Sequence, residues 1–138
     1  MAHETARVGS VSESLAEAIL TKHGWDVSIP VAVEPYDLIA KDPSDKRFKR
    51  IQVKTMKVRR DMENRLVVKG AKSNGQPYLI EEVDLIACVY GSHLYLIENT
   101  EQTEYTAADV RAAQERWVTL RLDDKRSDIL AEAIRNGE

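Results

Sequence analysis

The five residues from Ile51 to Thr55 constrain the fold of this sequence more than any other stretch, because apolar and polar side chains alternate along them. Successive side chains of a β-strand point to opposite faces, so Ile51, Val53 and Thr55 would share one face. Gln52 and Lys54 would share the other. The apolar face predicts a strand well inside a sheet, where an inward lysine needs a reason; the alternative is a surface lysine on an edge strand.

One acidic residue, Asp37, lies upstream in Tyr36–Ala40. This segment is predicted to be a neighbouring strand, because the turn signal Asp42–Asp45 separates it from the first one. A carboxylate beside a lysine and an amide oxygen suits a divalent cation and a phosphate. Asp37, Gln52 and Lys54 are therefore candidate site residues.

The order of predicted elements indicates an α/β (α+β) fold with a mixed central sheet flanked by helices. Apolar spacing predicts a first helix from Ser10 to His23, which Gly24 would end. A further helix opens at residues 106–109, and residues 128–135 close the chain as another. Strands are predicted at residues 25–30, 36–40, 49–57, 65–69, 83–89, 94–97 and 117–122, with a flexible loop at 70–77.

Length and composition place few limits on function. A chain of 138 residues fits a single domain spanning 1–138. The lone Cys88 lies in an apolar run, and the absence of cysteine pairs fits a reducing compartment. The N-terminus is polar, and no apolar run approaches the roughly 20 residues needed to cross a bilayer. We therefore expect a soluble, cytoplasmic protein with no membrane segment.

The net charge of −3 conceals an asymmetry, because residues 41–72 hold twelve Lys or Arg against four Asp or Glu. Such a patch suits a polyanion, whose binding depends on neutralised phosphates. Solvated hairpin strands are the alternative, since lysine-rich edges also discourage sheet pairing. The patch flanks Gln52 and Lys54 on both sides, which favours nucleic acid. Its members near the candidate site include Lys46, Arg47, Lys49, Arg50, Lys57, Arg59, Arg60, Lys69 and Lys72.

Glu13 has two explanations. The segment Ser10–Glu13 matches a capping box, in which the glutamate bonds to the backbone amide of the N-cap residue. Alternatively, Glu13 and Glu17 lie four apart on one helix face, where like charges repel modestly and a nearby cation would relieve the repulsion.

Other candidates are predicted to be structural. His3, His23 and His93 are scattered without zinc spacing and suit ordinary surface or loop positions. The segment 70–75 lacks the frame of a phosphate-binding loop and suits a DNA-facing turn or a hairpin end. Asp84 suits either an acidic ligand or a structural hydrogen-bond partner. Tyr78, Trp25 and Trp117 are more typical of packing than of base stacking.

These features occur in an order that resembles the PD-(D/E)xK nuclease superfamily: Gly9, Glu13 and Gly24-Trp25 on a first helix and its exit, Asp37 in a strand, and Gln52-Val53-Lys54 in the next. The size and layout resemble small Holliday-junction resolvases and group I intron-encoded homing endonucleases of this fold. The resemblance covers about residues 9–98 and implies a restriction-endonuclease-like core. A helix–strand–helix region at about 106–136 carries no matching motif.

The sequence departs from the superfamily pattern at two positions. Tyr36 separates Pro35 from Asp37, which matters little because the proline does no chemistry. Gln52 stands where the superfamily usually has an acidic residue, so the site loses one formal negative charge. A glutamine oxygen can still bind a hard cation, and Glu13 would then supply the second carboxylate.

The resemblance implies metal-assisted hydrolysis of DNA phosphodiester bonds, with Glu13, Asp37, Gln52 and Lys54 as catalytic residues. Mg²⁺, or Mn²⁺ in its place, would be held by Asp37, the Gln52 side chain, the Val53 carbonyl and Glu13. Lys54 would position or polarise the attacking water and stabilise the transition state. Contacts to DNA are expected from Lys57, Arg59, Arg60, Lys69 and Lys72.

One active site cuts one strand, so the resemblance also implies a homodimer or a higher symmetric oligomer. The segment Thr106–Arg135 is the predicted oligomerisation element. The rival hypothesis is a non-catalytic nucleic-acid-binding protein that retains the nuclease fold, with Gln52 as the sign of lost cleavage. A protein-binding or inhibitory partner is a third hypothesis, which predicts no salt-dependent affinity for DNA.

Overall fold

The computed structural model describes residues 2–123, so the helix predicted at 128–135 lies outside the described residues. A 3₁₀ turn, Arg60–Met62, follows the fourth strand. The elements in chain order are α1 (Ala2–Lys22), β1 (Asp26–Ser28), β2 (Leu38–Lys41), β3 (Phe48–Thr55), β4 (Lys57–Arg59), β5 (Arg65–Lys69), β6 (Leu85–Tyr90), β7 (His93–Glu98), β8 (Glu104–Ala107), α2 (Val110–Arg116) and β9 (Val118–Arg121).

The strands form two sheets. The main sheet has six strands in the order β1-β2-β3-β6-β7-β9, and the small sheet has three in the order β4-β5-β8. β3 pairs parallel with β6 and antiparallel with β2, so the main sheet is mixed. The predicted α+β class is confirmed. β3 lies inside the main sheet, so the alternative of an edge strand for Lys54 is wrong.

Helix α1 is longer than the sequence pattern indicated, because it begins at Ala2 and not at Ser10. Ser10 and Glu13 therefore lie in the middle of the helix, and the capping-box explanation of Glu13 is wrong. The upstream residues include the good helix formers Ala2, Glu4, Ala6 and Arg7, and the helix extends through them despite Gly9, whose cost is roughly 1 kcal/mol. The predicted stop is confirmed at Gly24, whose φ is +87°.

Two other predicted elements differ from the structure. The strand predicted at 49–57 is divided at the buried Met56, so that β3 belongs to the main sheet and β4 to the small one. Residues Glu104–Ala107 form a strand and not the start of a helix, because Tyr105 and Ala107 alternate into the core. Helix α2 begins after them, with Asp109 as N-cap accepting from the Ala112 N–H at 2.8 Å.

The main sheet separates two apolar clusters, and this places the polar face of β3. Ile51 and Val53 pack with α1 in one cluster. Ile86 and Cys88 belong to the other cluster, with Tyr78 and residues of the small sheet. Because Gln52 pairs with Ile86 and Lys54 with Cys88 in the parallel register, the two polar side chains point to this second side. The predicted alternation along β3 is confirmed.

The loop after β5 is a hairpin end, since Ala71 and Pro77 form an antiparallel bridge across it. The helices of the described part, residues 2–123, include none that is both long and apolar enough for a membrane span.

Candidate active site

Asp37 is fixed to β3 by two hydrogen bonds. Its backbone N–H donates to the Ile51 carbonyl at 2.9 Å, and its Oδ2 accepts from the Val53 N–H at 2.8 Å. The β2–β3 ladder ends at the pair Leu38 and Ile51, so the Asp37 side chain replaces the next backbone partner. The carboxylate is therefore held at the point where β3 leaves its neighbour.

The Val53 carbonyl lies on the Asp37 side of β3. In an extended strand the N–H and C=O of one residue point to the same edge, and the Val53 N–H points to Asp37. Even-numbered residues of β3 bond in the opposite direction, as the Asp84 N–H to Arg50 carbonyl bond shows. A backbone oxygen is thus available beside the Asp37 carboxylate.

Glu13 brings a second carboxyl group to Asp37. The two side chains lie within hydrogen-bonding reach of each other. Ser12, the preceding residue of α1, ties this part of the helix to β3 through a 2.7 Å contact between its Oγ and Thr55 Oγ1. The long helix over the sheet, and not a cap, therefore explains where Glu13 lies.

Burial disfavours the charged form of both the Glu13 and the Asp37 carboxyl groups. Burial, and then the charge of Asp37, raises the pKa of Glu13, with a smaller contribution from Glu17. Burial also raises the pKa of Asp37, although the Val53 N–H and the Lys54 ammonium oppose this effect. Asp37 adds to the effect of burial at Glu13, whereas the contact with Glu13 lowers the pKa of Asp37. A divalent cation would relieve the cost of holding both groups charged.

Gln52 lies on β3 directly before Val53, the residue whose N–H bonds to the Asp37 carboxylate. Asp37 itself lies just outside the β2–β3 ladder, because its N–H bonds to the Ile51 carbonyl, one residue out of the register that pairs Leu38 with Ile51. The potential donors are then two carboxylates, one amide oxygen and one backbone carbonyl, which is a set of oxygens that fits a hard cation. Within residues 2–123 no group of three or more His, Cys, Asp and Glu residues is placed to hold a metal ion.

Lys54 projects from β3 into the same region and is half-buried. Burial lowers the pKa of Lys54, and nearby Lys69 lowers it further, while Asp37 raises it. Its Nζ lies 5.4 Å from the centre of the Tyr78 ring. The sequence predicted only a packing role for Tyr78, because nothing in its local pattern shows that the chain returns to β3 at this residue.

Known proteins similar to this chain include a nuclease family and a solved endonuclease structure. Residues 3–134 match the family described as PD-(D/E)XK endonuclease. The chain belongs to the PD-(D/E)XK endonuclease family. A solved structure of a bacterial homing endonuclease, I-Ssp6803I, matches with a TM-score of 0.55 and 18% identity over 74% of this chain and 73% of that one. No match was found among curated proteins.

Family membership and the restriction-endonuclease-like fold were both expected from the sequence and are confirmed. In this PD-(D/E)XK family member, the fold brings Glu13 and Lys54 to Asp37, and Gln52 lies on β3 between the Asp37 contacts at Ile51 and Val53. Glu13 comes from the middle of α1, Asp37 directly precedes β2, and Gln52 and Lys54 belong to β3. The Holliday-junction resolvase resemblance remains a prediction.

The basic patch of this family member is partly neutralised by its own acids. Of the five residues predicted to bind DNA, Lys69 interacts electrostatically with Lys54 in the site, and Lys57 and Arg60 are exposed on β4 and the 3₁₀ turn. The others, Arg59 and Lys72, form ion pairs. The ion pairs of the patch are Lys49–Asp45 at 2.8 Å, Arg50–Asp84 at 3.0 Å, Arg59–Asp61 at 2.8 Å and Lys72–Glu82 at 2.6 Å.

Asp84 is a structural residue. Its Oδ2 accepts from the Arg50 backbone N–H at 2.7 Å and from Arg50 Nε at 3.0 Å, which connects the start of β6 to β3. The Arg50 guanidinium also donates to the Glu81 and Ile80 carbonyls. The hydrogen-bond alternative is thus the one observed. His23, expected at the surface or in a loop, is buried, with Nε2 3.0 Å from the Arg121 carbonyl.

Proposed function

We propose that this protein is a Mg²⁺-dependent DNA endonuclease that hydrolyses phosphodiester bonds, with Mn²⁺ able to replace Mg²⁺. The observation that carries the proposal is the approach of the Glu13 and Asp37 carboxyl groups beside the half-buried Lys54. Family membership supports it, since PD-(D/E)XK nucleases typically depend on a divalent metal.

The metal would be held by Asp37, the Gln52 amide oxygen, the Val53 carbonyl and Glu13. When bound, it would polarise the phosphate and lower the pKa of a water molecule. Gln52 contributes an oxygen without a charge, so Glu13 restores the second carboxylate that the site otherwise lacks.

Lys54 acts on the phosphate and on the attacking water. Its ammonium group is partly removed from solvent, where a charge stabilises the developing negative charge of the phosphate more strongly than it would in water. The attraction of Asp37 and the Tyr78 ring favour its protonated form. It can therefore donate hydrogen bonds while Asp37 stays oriented by the Val53 N–H.

The substrate is DNA, either a four-way junction or a specific duplex site, and the basic residues of the patch would contact its phosphates. One site cuts one strand, so we infer a homodimer or a higher homo-oligomer acting in the cytoplasm. In the region 106–136 predicted for oligomerisation, β8, α2 and β9 pack within the fold. The rest of that region lies beyond Asp123, outside the described residues.

The test is cleavage of plasmid and of a four-way junction with Mg²⁺, Mn²⁺ or a chelator. Cutting should require the metal and fall at least a hundredfold in Lys54→Ala, the order expected for losing one charge-stabilising group. The matched control is Arg111→Ala, which removes one positive charge from α2, an element without site residues. Metal-independent cutting, or full activity in Lys54→Ala, would contradict the proposal.

Gln52 favours a second candidate function, a non-catalytic nucleic-acid-binding protein. That candidate predicts salt-dependent binding to DNA and no cutting of any substrate with any divalent metal. The same assay therefore separates the two, provided that binding is measured alongside cleavage.

A further inference from the structure

The Tyr78 ring has two lysines close to it, one from the candidate site and one from outside it. Lys54 Nζ lies 5.4 Å from the ring centre, and Lys72 Nζ lies 6.0 Å from the same centre. The two ammonium groups are therefore at most about 11 Å apart. An ammonium group in a partly buried setting is stabilised when an anion lies nearby.

Tyr78 is a fixed platform. Its side chain is only 8% exposed, and its backbone carbonyl accepts a hydrogen bond from Asn99 Nδ2 at 3.1 Å. The same buried Asn99 amide donates to the Leu79 and Val83 carbonyls, at 3.2 and 2.8 Å. Asn99, the first residue after β7, thus binds the backbone of the turn that carries the Tyr78 ring.

Lys72 already has an anion beside it. Its Nζ lies 2.6 Å from Glu82 Oε1, and the two side chains are 28% and 24% exposed. Glu82 Oε1 also accepts from the Leu79 N–H at 3.0 Å, which fixes the carboxylate beside Lys72. A carboxylate and a phosphate oxygen are similar ligands for an ammonium group. Glu82 thus occupies the place that a phosphate would take.

We propose that Lys72, which lies beside the Tyr78 ring, binds a second phosphate of the nucleic acid, next to the phosphate that Lys54 contacts. This second phosphate displaces the Glu82 carboxylate from Lys72. The inference rests on the proposed function, since it takes the Lys54 region as the place of the cut strand. Along one strand of a duplex, phosphates recur about every 3.4 Å of axis. Two ammonium groups about 11 Å apart or closer therefore face the same short stretch of backbone.

The experiment measures affinity for a fluorescein-labelled DNA duplex by anisotropy over a range of salt, with a chelator present so that no cutting occurs. Glu82→Gln should tighten binding about fivefold, the order expected when a partly exposed ion pair no longer competes. It keeps a side-chain oxygen for the Leu79 N–H. Lys72→Met should weaken binding and lower the salt slope by about 1. In the double variant, Glu82→Gln should give no gain.

The matched control is Glu81→Gln, which removes the same charge from the neighbouring exposed position and should leave the affinity unchanged. The proposal would be overturned if Glu81→Gln tightened DNA binding as much as Glu82→Gln does. It would also be overturned if Glu82→Gln gave its full gain in affinity in the Lys72→Met background. In either case the overall charge would explain the effect. A melting curve of each variant checks folding. Because binding is read without metal, this result is independent of whether the wild-type protein cuts DNA.

Discussion

The ammonium group of Lys54 lies over the ring of Tyr78, at 5.4 Å from its centre, although the two residues come from separate parts of the chain. Lys54 rises from the middle of β3, and Tyr78 belongs to the turn that precedes β6. A cation over an aromatic face is worth roughly 0.5–2 kcal/mol, with the larger values in desolvated sites. The ring can therefore hold the lysine in one direction.

Two substitutions of Tyr78 distinguish the contribution of its aromatic ring from that of its hydroxyl group. Tyr78→Phe keeps the aromatic face and should retain most of the single-turnover cleavage rate. Tyr78→Leu loses the face and should lower that rate about tenfold while DNA affinity changes little, because the loss concerns how Lys54 is positioned at the phosphate. Equal rates in the two variants, measured on folded protein at saturating DNA, would show that the ring does not position Lys54.

Glu13 is expected to lower the stability of the folded protein when no metal is bound. Its raised pKa means that the charged form is disfavoured by folding. Glu13→Gln should therefore raise the melting temperature in chelator at neutral pH, by about 2–4 °C. Glu17→Gln, one helical turn away, is the matched control and should give a smaller gain because Glu17 acts only at a distance. Glu13→Gln should also lose most of the stabilisation that Mn²⁺ gives the wild type.

The pH dependence of that gain has a definite sign. A carboxyl group whose pKa is raised on folding destabilises the folded protein above the raised value, and the penalty disappears as the pH falls through it. The difference in melting temperature between Glu13→Gln and the wild type should therefore be largest at neutral pH and shrink as the pH falls towards 4.5, the ordinary pKa of a glutamate. A gain that grows on acidification would contradict the assigned pKa direction.

Gln52→Glu restores the acidic residue usual in the superfamily. A third carboxylate near Asp37 and Glu13 should lower the melting temperature in chelator through repulsion, and it should tighten metal binding roughly tenfold. Mn²⁺ titration followed by thermal shift measures both effects. Gln114→Glu on α2 controls for an added charge. If Mn²⁺ binds Gln52→Glu no more tightly than the wild type, Gln52 does not adjoin the metal.

Asp84→Ala should be a stability variant and not an activity variant. It leaves the Arg50 backbone N–H and guanidinium without their carboxylate, and an unsatisfied donor of this kind costs about 1–3 kcal/mol. Asp61→Ala, which breaks the solvent-exposed pair with Arg59, should destabilise the protein clearly less than Asp84→Ala does. Urea unfolding compares them, and equal costs would contradict the structural role of Asp84.

The features that the sequence predicted well are those set by local pattern. Alternation along Ile51–Thr55 determines the faces of β3, and Gly24 ends α1 because a left-handed residue is needed there. The start of α1 was mispredicted because Ser10–Glu13 satisfies a capping pattern that the upstream residues override. Local preference cannot show that a helix has already begun.

The relationships that the sequence could not predict depend on topology. Tyr78 reaches Lys54 only because the parallel β3–β6 pairing brings the turn before β6 back to β3. Internal ion pairs such as Lys72–Glu82 reduce the positive charge of the basic patch. The sequence could not predict these pairs, because they depend on which loops face each other in the fold. Charge counted along the chain overstates the charge that is available to DNA.

The central claim is that Asp37, Gln52 and the Val53 carbonyl share one divalent cation with Glu13 nearby. The most direct measurement is the anomalous density of Mn²⁺ in crystals soaked with that ion. We expect a peak within coordination distance of the Asp37 carboxylate, the Gln52 side-chain oxygen and the Val53 carbonyl. The absence of a peak there at saturating Mn²⁺, or a peak that touches Asp37 without Gln52 and Val53, would contradict the account.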